Sequence, residues 1–383
     1  MTLRPNALVV GAGFAGAVHA RELAERGYAV DVIECRHHVA GNAFDEVRPD
    51  GTRVHRYGPH LFHTSNIEVM RWLERFGAFI PYTHHVAAEI VRPDGTLRHV
   101  PLPINRTTIN EVFSLGLTTD ADVADFLRTQ AIPCEAPRSA ADYLHSRIGK
   151  TLTDLFFRPY TRKMWALDLE DMHEAVVRRI PLRLDDDSRY FPSDRFQVLP
   201  RDGYAALVGC ILDHAHVTVS LGQRYRRGME KGYRVCFNSM PIDEFFDFAH
   251  GPLPYRSIRF HHRSESADYA RGFAPVTNFT DAGIYTRETD WSHLPGHHDR
   301  AGGSKTVTLE EPCADRDNDM ERYYPVRTGD DRYKRNYEAY RALTRTDPAM
   351  RFIGRCGTYQ YLDMDQVINQ SLVHVRDWLN TRQ

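Results

Sequence analysis

The sequence predicts an α/β protein whose parallel-sheet lobe is interrupted by a helical insertion and by an antiparallel sheet. Three observations carry that prediction. A strand, a glycine turn and a helix follow one another over residues 7–26; the stretch from about 107 to 177 has helical spacing with capping residues at its breaks; and alternating segments recur at 255–260, 276–279 and 305–309. At 383 residues the chain exceeds what one core ordinarily organises, so two or three lobes with room for a ligand between them are expected.

Ala7-Leu8-Val9-Val10 is short, continuous and apolar, the mark of a strand buried on both faces. Gly11-Ala12-Gly13-Phe14-Ala15-Gly16 follows directly, and residues 17–26 carry helical spacing up to Gly27, a residue suited to a helix C-terminus. Residues 29–33 form a second apolar strand that ends at Glu34. A G-x-G-x-x-G alone says little, but between a strand and a helix, with an acid about 20 residues on, it is the dinucleotide-binding fingerprint. Gly11 permits the tight turn, Gly13 lets the backbone approach a pyrophosphate, and Gly16 allows close helix packing. Glu34 is placed to accept hydrogen bonds from an adenosine ribose. The fingerprint does not separate NAD from FAD. Arg36, Gly41 and Asn42 extend it with a second glycine turn, as in the large group of FAD proteins resembling the amine oxidases, and this favours flavin.

Residues 68–76 have helical spacing, and the segments 86–91 and 97–100 flank Pro93-Asp94-Gly95 as a hairpin. The helical insertion has breaks at Thr118-Thr119-Asp120, Pro133 and Pro137, with Ser139 as a cap. Asp202-Gly203-Tyr204 opens an apolar helix to Leu212, and 217–219 is a short strand returning to the first lobe. Near the end, a strand at 351–353, then Gly354 and Arg355, then an amphipathic run at 364–379 repeat the order strand, glycine, helix. In FAD folds of this type such a C-terminal return completes the cofactor site, so residues around Asp363 are expected to face the isoalloxazine end.

Composition narrows the partners. Forty-nine basic against 51 acidic residues leave a net charge of −2, so nothing global attracts a nucleic acid or an anionic membrane. The apolar stretch 7–18 carries three glycines and is too short to span a bilayer, and no export signal is read. Six cysteines without C-x-x-C spacing suit buried or idle thiols in a reducing compartment, which points to the cytoplasm. No H-E-x-x-H, G-x-S-x-G or Walker motif is present, so neither a metal centre nor the commonest hydrolase and phosphoryl-transfer chemistries are expected. Asp185-Asp186-Asp187 reads as a solvated loop.

A nucleotide diphosphate needs forked cations and hydroxyl donors. Arg179, before Ile180-Pro181, and Arg287, after Tyr285-Thr286, are placed suggestively, although position alone does not distinguish them from solvated surface charges. Tyr323-Tyr324, Tyr359 and Tyr361 can offer hydroxyls or ring faces, or simply pack. His60 and His63 follow Tyr57-Gly58-Pro59, where a turn could bring a histidine beside a cofactor or leave it a satisfied structural residue.

Taken together, the strings Val10-Gly11-Ala12-Gly13-Phe14, Tyr57-Gly58-Pro59-His60-Leu61-Phe62-His63-Thr64, Pro101-Leu102-Pro103-Ile104-Asn105, Tyr160-Thr161-Arg162-Lys163-Met164-Trp165, Arg179-Ile180-Pro181, Tyr285-Thr286-Arg287, Tyr323-Tyr324-Pro325 and Gly357-Thr358-Tyr359-Gln360-Tyr361-Leu362-Asp363-Met364-Asp365 occur in one order along nearly the whole chain. In these the sequence resembles the UDP-galactopyranose mutase family. The resemblance implies a Rossmann-like FAD-binding domain (1–83, 201–249 and 316–383), an inserted helical substrate domain with a mobile loop (106–180), and a twisted antiparallel β-sheet domain (84–105, 181–200 and 250–315). It implies a cytoplasmic homodimer that interconverts UDP-galactopyranose and UDP-galactofuranose with FAD reduced by an external donor. In that chemistry flavin N5 bonds transiently to the anomeric carbon, the sugar opens to an iminium, and the ring recloses through another oxygen.

Carried onto this chain, the resemblance implies that Arg179 and Arg287 hold the diphosphate, with Tyr160, Tyr190, Tyr324 and Tyr361 as hydroxyl partners. Trp165 would lie on the uridine side, Thr161 would bind the substrate, and Asn278 would lie near the sugar. His60 would sit against the flavin, and Gly11, Gly13, Phe14, Gly16, Glu34, Asn42, Arg355, Asp363 and Met364 would bind it. Four departures stand out: Ala40 where the family has glycine, Ala166 likewise, a shortened Ala282-Gly283-Ile284 without proline, and Cys356 in place of leucine. The changes near Trp165 and Asn278 keep a second substrate in view, an N-acetylated or deoxy nucleotide sugar. A flavin-dependent oxidase or desaturase on the same cofactor fold, or a catalytically silent nucleotide-sugar binder, are the remaining readings.

Overall fold

Parallel strands need crossover connections, and in this chain the crossovers create its depth. In the computed structural model, which describes residues 5–92, 94–178, 181–298, 303–328 and 330–381, the strand Asn6–Val10 lies between Ala29–Glu34 and Val235–Asn238. Val217–Leu221 and Met350–Phe352 form the edges, and all four pairings are parallel. Ala7, Val9, Val32 and Phe237 carry no exposed surface, as expected for strands covered on both faces. The helices Phe14–Glu25 and Met364–Asn380 pack on this sheet through Leu23, Ile368, Leu372 and Val375. At Gly16 a Cβ would lie 1.9 Å from the Gly11 carbonyl oxygen, so only glycine lets the first helix rest on its own turn.

The helical insertion folds from the expected signals. Thr119 and Ser139 close capping boxes with Asp122 and Asp142 and start the helices Asp120–Gln130 and Ala140–Leu152, while Asn105 caps Arg106–Phe113. Ile109, Val123, Leu127, Leu144 and Ile148 form a core of their own, closed by Ile90 and Val100 from the neighbouring sheet. The helix Arg158–Trp165 follows a wide turn at Thr153–Phe157 and ends at Ala166.

Among the described residues the large sheet runs Tyr324–Pro325, Tyr255–Ser266, Ser304–Ala314, Arg287–Asp290, Val276–Phe279, Val86–Val91 and Leu97–Leu102. Neighbours are antiparallel except Val276–Phe279, which runs parallel to Val86–Val91. Two strands extend beyond the alternating segments of the sequence, because polar cross-strand pairs continue the ladder where apolar alternation stops. His262 faces Thr308 in register, with 2.8 Å between Nδ1 and Oγ1.

One assignment changes. Residues 196–200, expected with the antiparallel sheet, form the strand Phe196–Pro200, which pairs instead with Phe62–Thr64 and Phe79–Pro81 and packs Leu199 into the core of the parallel-sheet lobe. The cysteines are unpaired, as expected of buried or idle thiols. Cys236 and Cys313 are buried, but Cys35, Cys134 and Cys210 are exposed, and all six thiols are free. The Asp185-Asp186-Asp187 loop is laced by Arg106 on Asp186 and by Arg183 and Arg189 on Asp187. Among the described residues no helix is long and apolar enough to cross a membrane.

Ala40 and Ala166 both adopt the left-handed conformation, at φ 71° and φ 52°. A Cβ there costs about 1–2 kcal/mol, part of which glycine's looser unfolded chain takes back. Ala166→Gly should therefore stabilise the protein by about 0.5–1 kcal/mol. Thermal unfolding at fixed pH checks this, and a lower midpoint in the variant would contradict the strain assigned to Ala166.

Candidate functional site

The carboxyl ends of the parallel strands deliver the glycine turn to one side of the sheet, the place where open α/β sheets bind ligands. Gly11 sits at φ 99° and donates its N–H to Ile33 O at 2.8 Å. Gly13 precedes the helix Phe14–Glu25, whose first turn has no side-chain cap and no acid, so its orphan amides are left for an anion. The second glycine turn packs on the first: a Cβ at Gly41 would lie 3.1 Å from Gly13 Cα. Glu34 is buried, accepting the Ala12 N–H at 2.8 Å and the Arg36 N–H at 2.9 Å, and its carboxylate retains further acceptor positions for a ribose. Arg36 lies 4.4 Å over the Tyr57 ring, donates to Asn42 Oδ1 at 2.9 Å and pairs with Glu321.

From this turn a single cavity of about 1270 Å³ runs between the lobes. That exceeds the roughly 300–1,000 Å³ of ordinary small-molecule sites and leaves room for a dinucleotide and a second nucleotide together. Gly11, Gly13, Phe14, Glu34 and Asn42 line one end, where Asp363 and Met364 bring in the start of the helix Met364–Asn380. Tyr160, Thr161 and Trp165 line the other, on the helix Arg158–Trp165. His60, Tyr190, Asn278, Arg287, Tyr324, Arg355 and Tyr361 lie between. Gly16 backs the turn without lining the cavity. Arg179 lies outside the described residues.

The wall of the cavity contains a row that no sequence window reveals. Asn278 is directly opposite Arg287 in the ladder, and Arg287 is directly opposite Glu310. Being in register on neighbouring strands, all three emerge on one face of the sheet. Arg287 Nε donates to Glu310 Oε2 at 2.7 Å. Burial disfavours the Arg287 charge, but Glu310 and the phenols of Tyr160 and Tyr324 hold the guanidinium above its ordinary value. Burial pushes the Glu310 carboxyl up, and Arg287 draws it back. Asn278 lines the cavity and its Oδ1 is buried with no hydrogen-bond partner among the described residues, so it retains polar capacity for a ligand, while the fully buried Glu310 backs Arg287 from behind. Opposite this row, Arg355 lies 5.2 Å over the Tyr324 ring and 5.1 Å over Tyr361, whose rings stack at 5.4 Å. Burial raises the Tyr160 phenol to about 12, against the pull of Arg287, so it is a hydroxyl donor at neutral pH.

Glu310 is a site residue that sequence reasoning passed over. A lone acid in a strand carries no motif, and only register exposes its partner. The same holds for His55 and His297. His297 Nδ1 donates to Pro295 O at 3.0 Å, which leaves its Nε2 to accept from His55 Nε2 at 3.0 Å. His55 Nδ1 in turn accepts the His60 amide at 2.9 Å, and His60 Nδ1 donates to Gly58 O at 2.8 Å. The His297 and His55 tautomers are set in this way, and the assignment works only with both of those rings neutral. In the neutral His60 ring Nδ1 carries the proton to Gly58 O, which makes Nε2 an acceptor. Burial pushes His60 down to about 4, with the Gly58 carbonyl opposing and Arg355 and Arg287 adding to the shift. Burial likewise takes His297 to about 4 and His55 well below its ordinary value.

These imidazoles accept protons more readily once the chain unfolds. Their stabilising contribution is complete above the unfolded value near 6.5 and is lost as pH falls from there toward 4, each group adding a slope of up to about 1.4 kcal/mol per pH unit. Denaturant midpoints measured from pH 7 to 4.5 should therefore fall steadily. A flat profile across that window would contradict the neutral relay.

Two family models match the chain. That of UDP-galactopyranose mutase covers residues 155–361, more than half its length, and that of the NAD(P)-binding Rossmann-like domain covers residues 9–76. Over 378 residues, 98% of this chain and 95% of the relative, the sequence is 32% identical to a probable UDP-galactopyranose mutase of Klebsiella pneumoniae. It is also 32% identical, over 376 residues, to dTDP-fucopyranose mutase of Escherichia coli, covering 95% of this chain and 96% of that protein. The crystal structure of a reduced UDP-galactopyranose mutase superimposes with a TM-score of 0.74 over 99% of this chain and 94% of that one. At 16% identity, that likeness speaks for the fold.

Proposed function

This chain belongs to the UDP-galactopyranose mutase family, and on that premise we propose that it interconverts the pyranose and furanose forms of UDP-galactose with FAD in its reduced form. The observation that carries the reading is the pair Asn278 and Arg287, backed by Glu310, lining the same cavity as a dinucleotide turn.

FAD fits the residues present. The uncapped amides after Gly13 would hold its pyrophosphate and Glu34 its ribose, with Asn42, Arg355, Asp363 and Met364 lining the same cavity. When bound and reduced, it supplies an electron-rich nitrogen toward the anomeric carbon of the sugar. The protein's part is electrostatic and positional. Arg287 is already paired through Nε, so its two Nη groups, which make no other hydrogen bond among the described residues, are oriented for phosphate oxygens before a ligand arrives. As the nucleotide diphosphate leaves the anomeric carbon it gains negative charge, and a pre-oriented guanidinium with the hydroxyls of Tyr160, Tyr324 and Tyr361 stabilises that charge without reorganising. Asn278 contacts the sugar, Trp165 and Thr161 hold the base side, and Tyr190 and Arg179 complete the diphosphate site. His60 Nε2, an acceptor at neutral pH, meets a hydrogen-bond donor of the flavin. The protein works as a cytoplasmic homodimer and takes electrons for its flavin from an external reductant.

A second substrate remains in view, because the identity to dTDP-fucopyranose mutase equals that to the Klebsiella relative. Incubating dithionite-reduced protein with UDP-galactopyranose, and in parallel with dTDP-fucopyranose, separates the two by which furanose product forms. The purified protein should be yellow, and turnover should appear on reduction. Equal activity in oxidised and reduced states would reject the flavin's role. Arg287→Ala should lower kcat/KM by about 30- to 5,000-fold, the roughly 2–5 kcal/mol of losing one partner of a buried charge pair. Wild-type turnover in that variant would defeat the diphosphate assignment.

A further inference from the structure

The turn between the strands of Asn278 and Arg287 has little to hold it. Residues 281–284 are all exposed, Ile284 among them at 60%, so the turn has no apolar core of its own. Its ends are closed by Phe279 N–H to Thr286 O and by Thr286 N–H to Glu310 O, both 2.9 Å, and Asp281 Oδ1 accepts the Gly283 N–H at 3.0 Å. Against it stands one buried cation. Lys163, whose side chain is 9% exposed, donates to Phe279 O at 2.9 Å, Tyr285 O at 2.8 Å and Asp281 Oδ1 at 3.1 Å, which uses all three ammonium protons. The helix that carries Lys163 is tied back in turn. From the strand Tyr255–Ser266, Arg256 donates Nε to Met164 O at 2.7 Å and Nη2 to Lys163 O at 3.2 Å.

We propose that Lys163 is a positioning residue: it latches the turn 279–285 to the helix Arg158–Trp165 and so sets the spacing across the cavity between Arg287 and Asn278 on one side and Tyr160 and Trp165 on the other. Lys163 itself points away from the ligand site, into the carbonyls of the turn, and touches no substrate. Its leverage comes from its place one helical turn beyond Tyr160 and from gripping both ends of the segment that separates Asn278 from Arg287. A nucleotide diphosphate-sugar held at both walls senses that spacing directly, because its phosphates meet Arg287 and its base meets Trp165. The latch also accounts for a short turn without proline: the ordering that a rigid residue would bring is supplied from outside by an ammonium.

This inference rests on the nucleotide-sugar reading, and its test separates the two. The probe is UDP, titrated calorimetrically into the flavin-loaded protein at a temperature where circular dichroism shows wild type and variant fully folded. Lys163→Met keeps the length of the side chain and removes the donors. Its Kd for UDP should rise at least 10-fold, and KM for the nucleotide sugar should rise while kcat stays within about threefold. A merely structural lysine would lower the unfolding midpoint and leave the Kd of folded protein unchanged. A Kd within twofold of wild type in folded Lys163→Met overturns the latch. Should that variant fail to fold, Asp281→Ala removes one of the three acceptors at the exposed side of the turn; a threefold or greater rise in Kd supports the latch and an unchanged Kd overturns it. Failure of the wild type itself to bind UDP would overturn the UDP-sugar reading, and failure to bind both UDP and dTDP would overturn the nucleotide-sugar reading.

Discussion

A guanidinium at the wall of a deep cavity is unstable unless its charge is matched, and matching it too well would leave nothing for a ligand. The Arg287–Glu310 pair meets both demands. One carboxylate oxygen takes Nε, and the two Nη groups are left for an anion. Such a pair adds little to stability, since desolvating two charges offsets most of their attraction. Its value is orientation, and the strands that carry it must be in register for it to exist. The long ladder between Tyr255–Ser266 and Ser304–Ala314 fixes Glu310, and the short strands Arg287–Asp290 and Val276–Phe279 are then placed by pairing onto it.

The opposite wall obeys a different constraint. There the backbone itself is the binding surface, and glycine is required wherever two segments must nearly touch. Gly16 rests on the Gly11 carbonyl and Gly41 on Gly13, so the helix start and the second turn converge. Ala40, at φ 71° beside this junction, shows that the conformation is imposed by the surrounding packing even where the residue resists it.

Between the walls, burial keeps the His60 imidazole and the Tyr160 phenol neutral. The histidine relay from His297 through His55 to the His60 amide and the raised phenol of Tyr160 belong to the same design. Neutral donors and acceptors define directions in the cavity, and the few charges define where an anion rests. Outside the cavity, Lys163 ties a weakly packed turn to the helix Arg158–Trp165.

Much of this was legible along the chain because it depends on local chemistry. The glycine fingerprint, the helix boundary at Thr118-Thr119-Asp120, the cap at Ser139 and the apolar strands are written in neighbouring residues, and each formed as read. The strings carrying the family resemblance located Tyr160, Trp165, Arg287, Tyr324 and Tyr361, which all line one cavity. Pairing between distant segments was not legible. Phe196–Pro200 joined Phe62–Thr64 rather than the large sheet, because a half-buried strand does not encode which edge it will meet. Glu310 looked like any acid in a strand, and Lys163 and His55 like any surface cation and any histidine, until register and packing gave each a partner. The sequence by itself determined the elements, the cofactor-type turn and the family, since backbone conformation and burial follow from nearby side chains. Only the tertiary structure decided which side chains share a row, because a hydrogen bond between strands more than 20 residues apart in sequence exists through the fold alone.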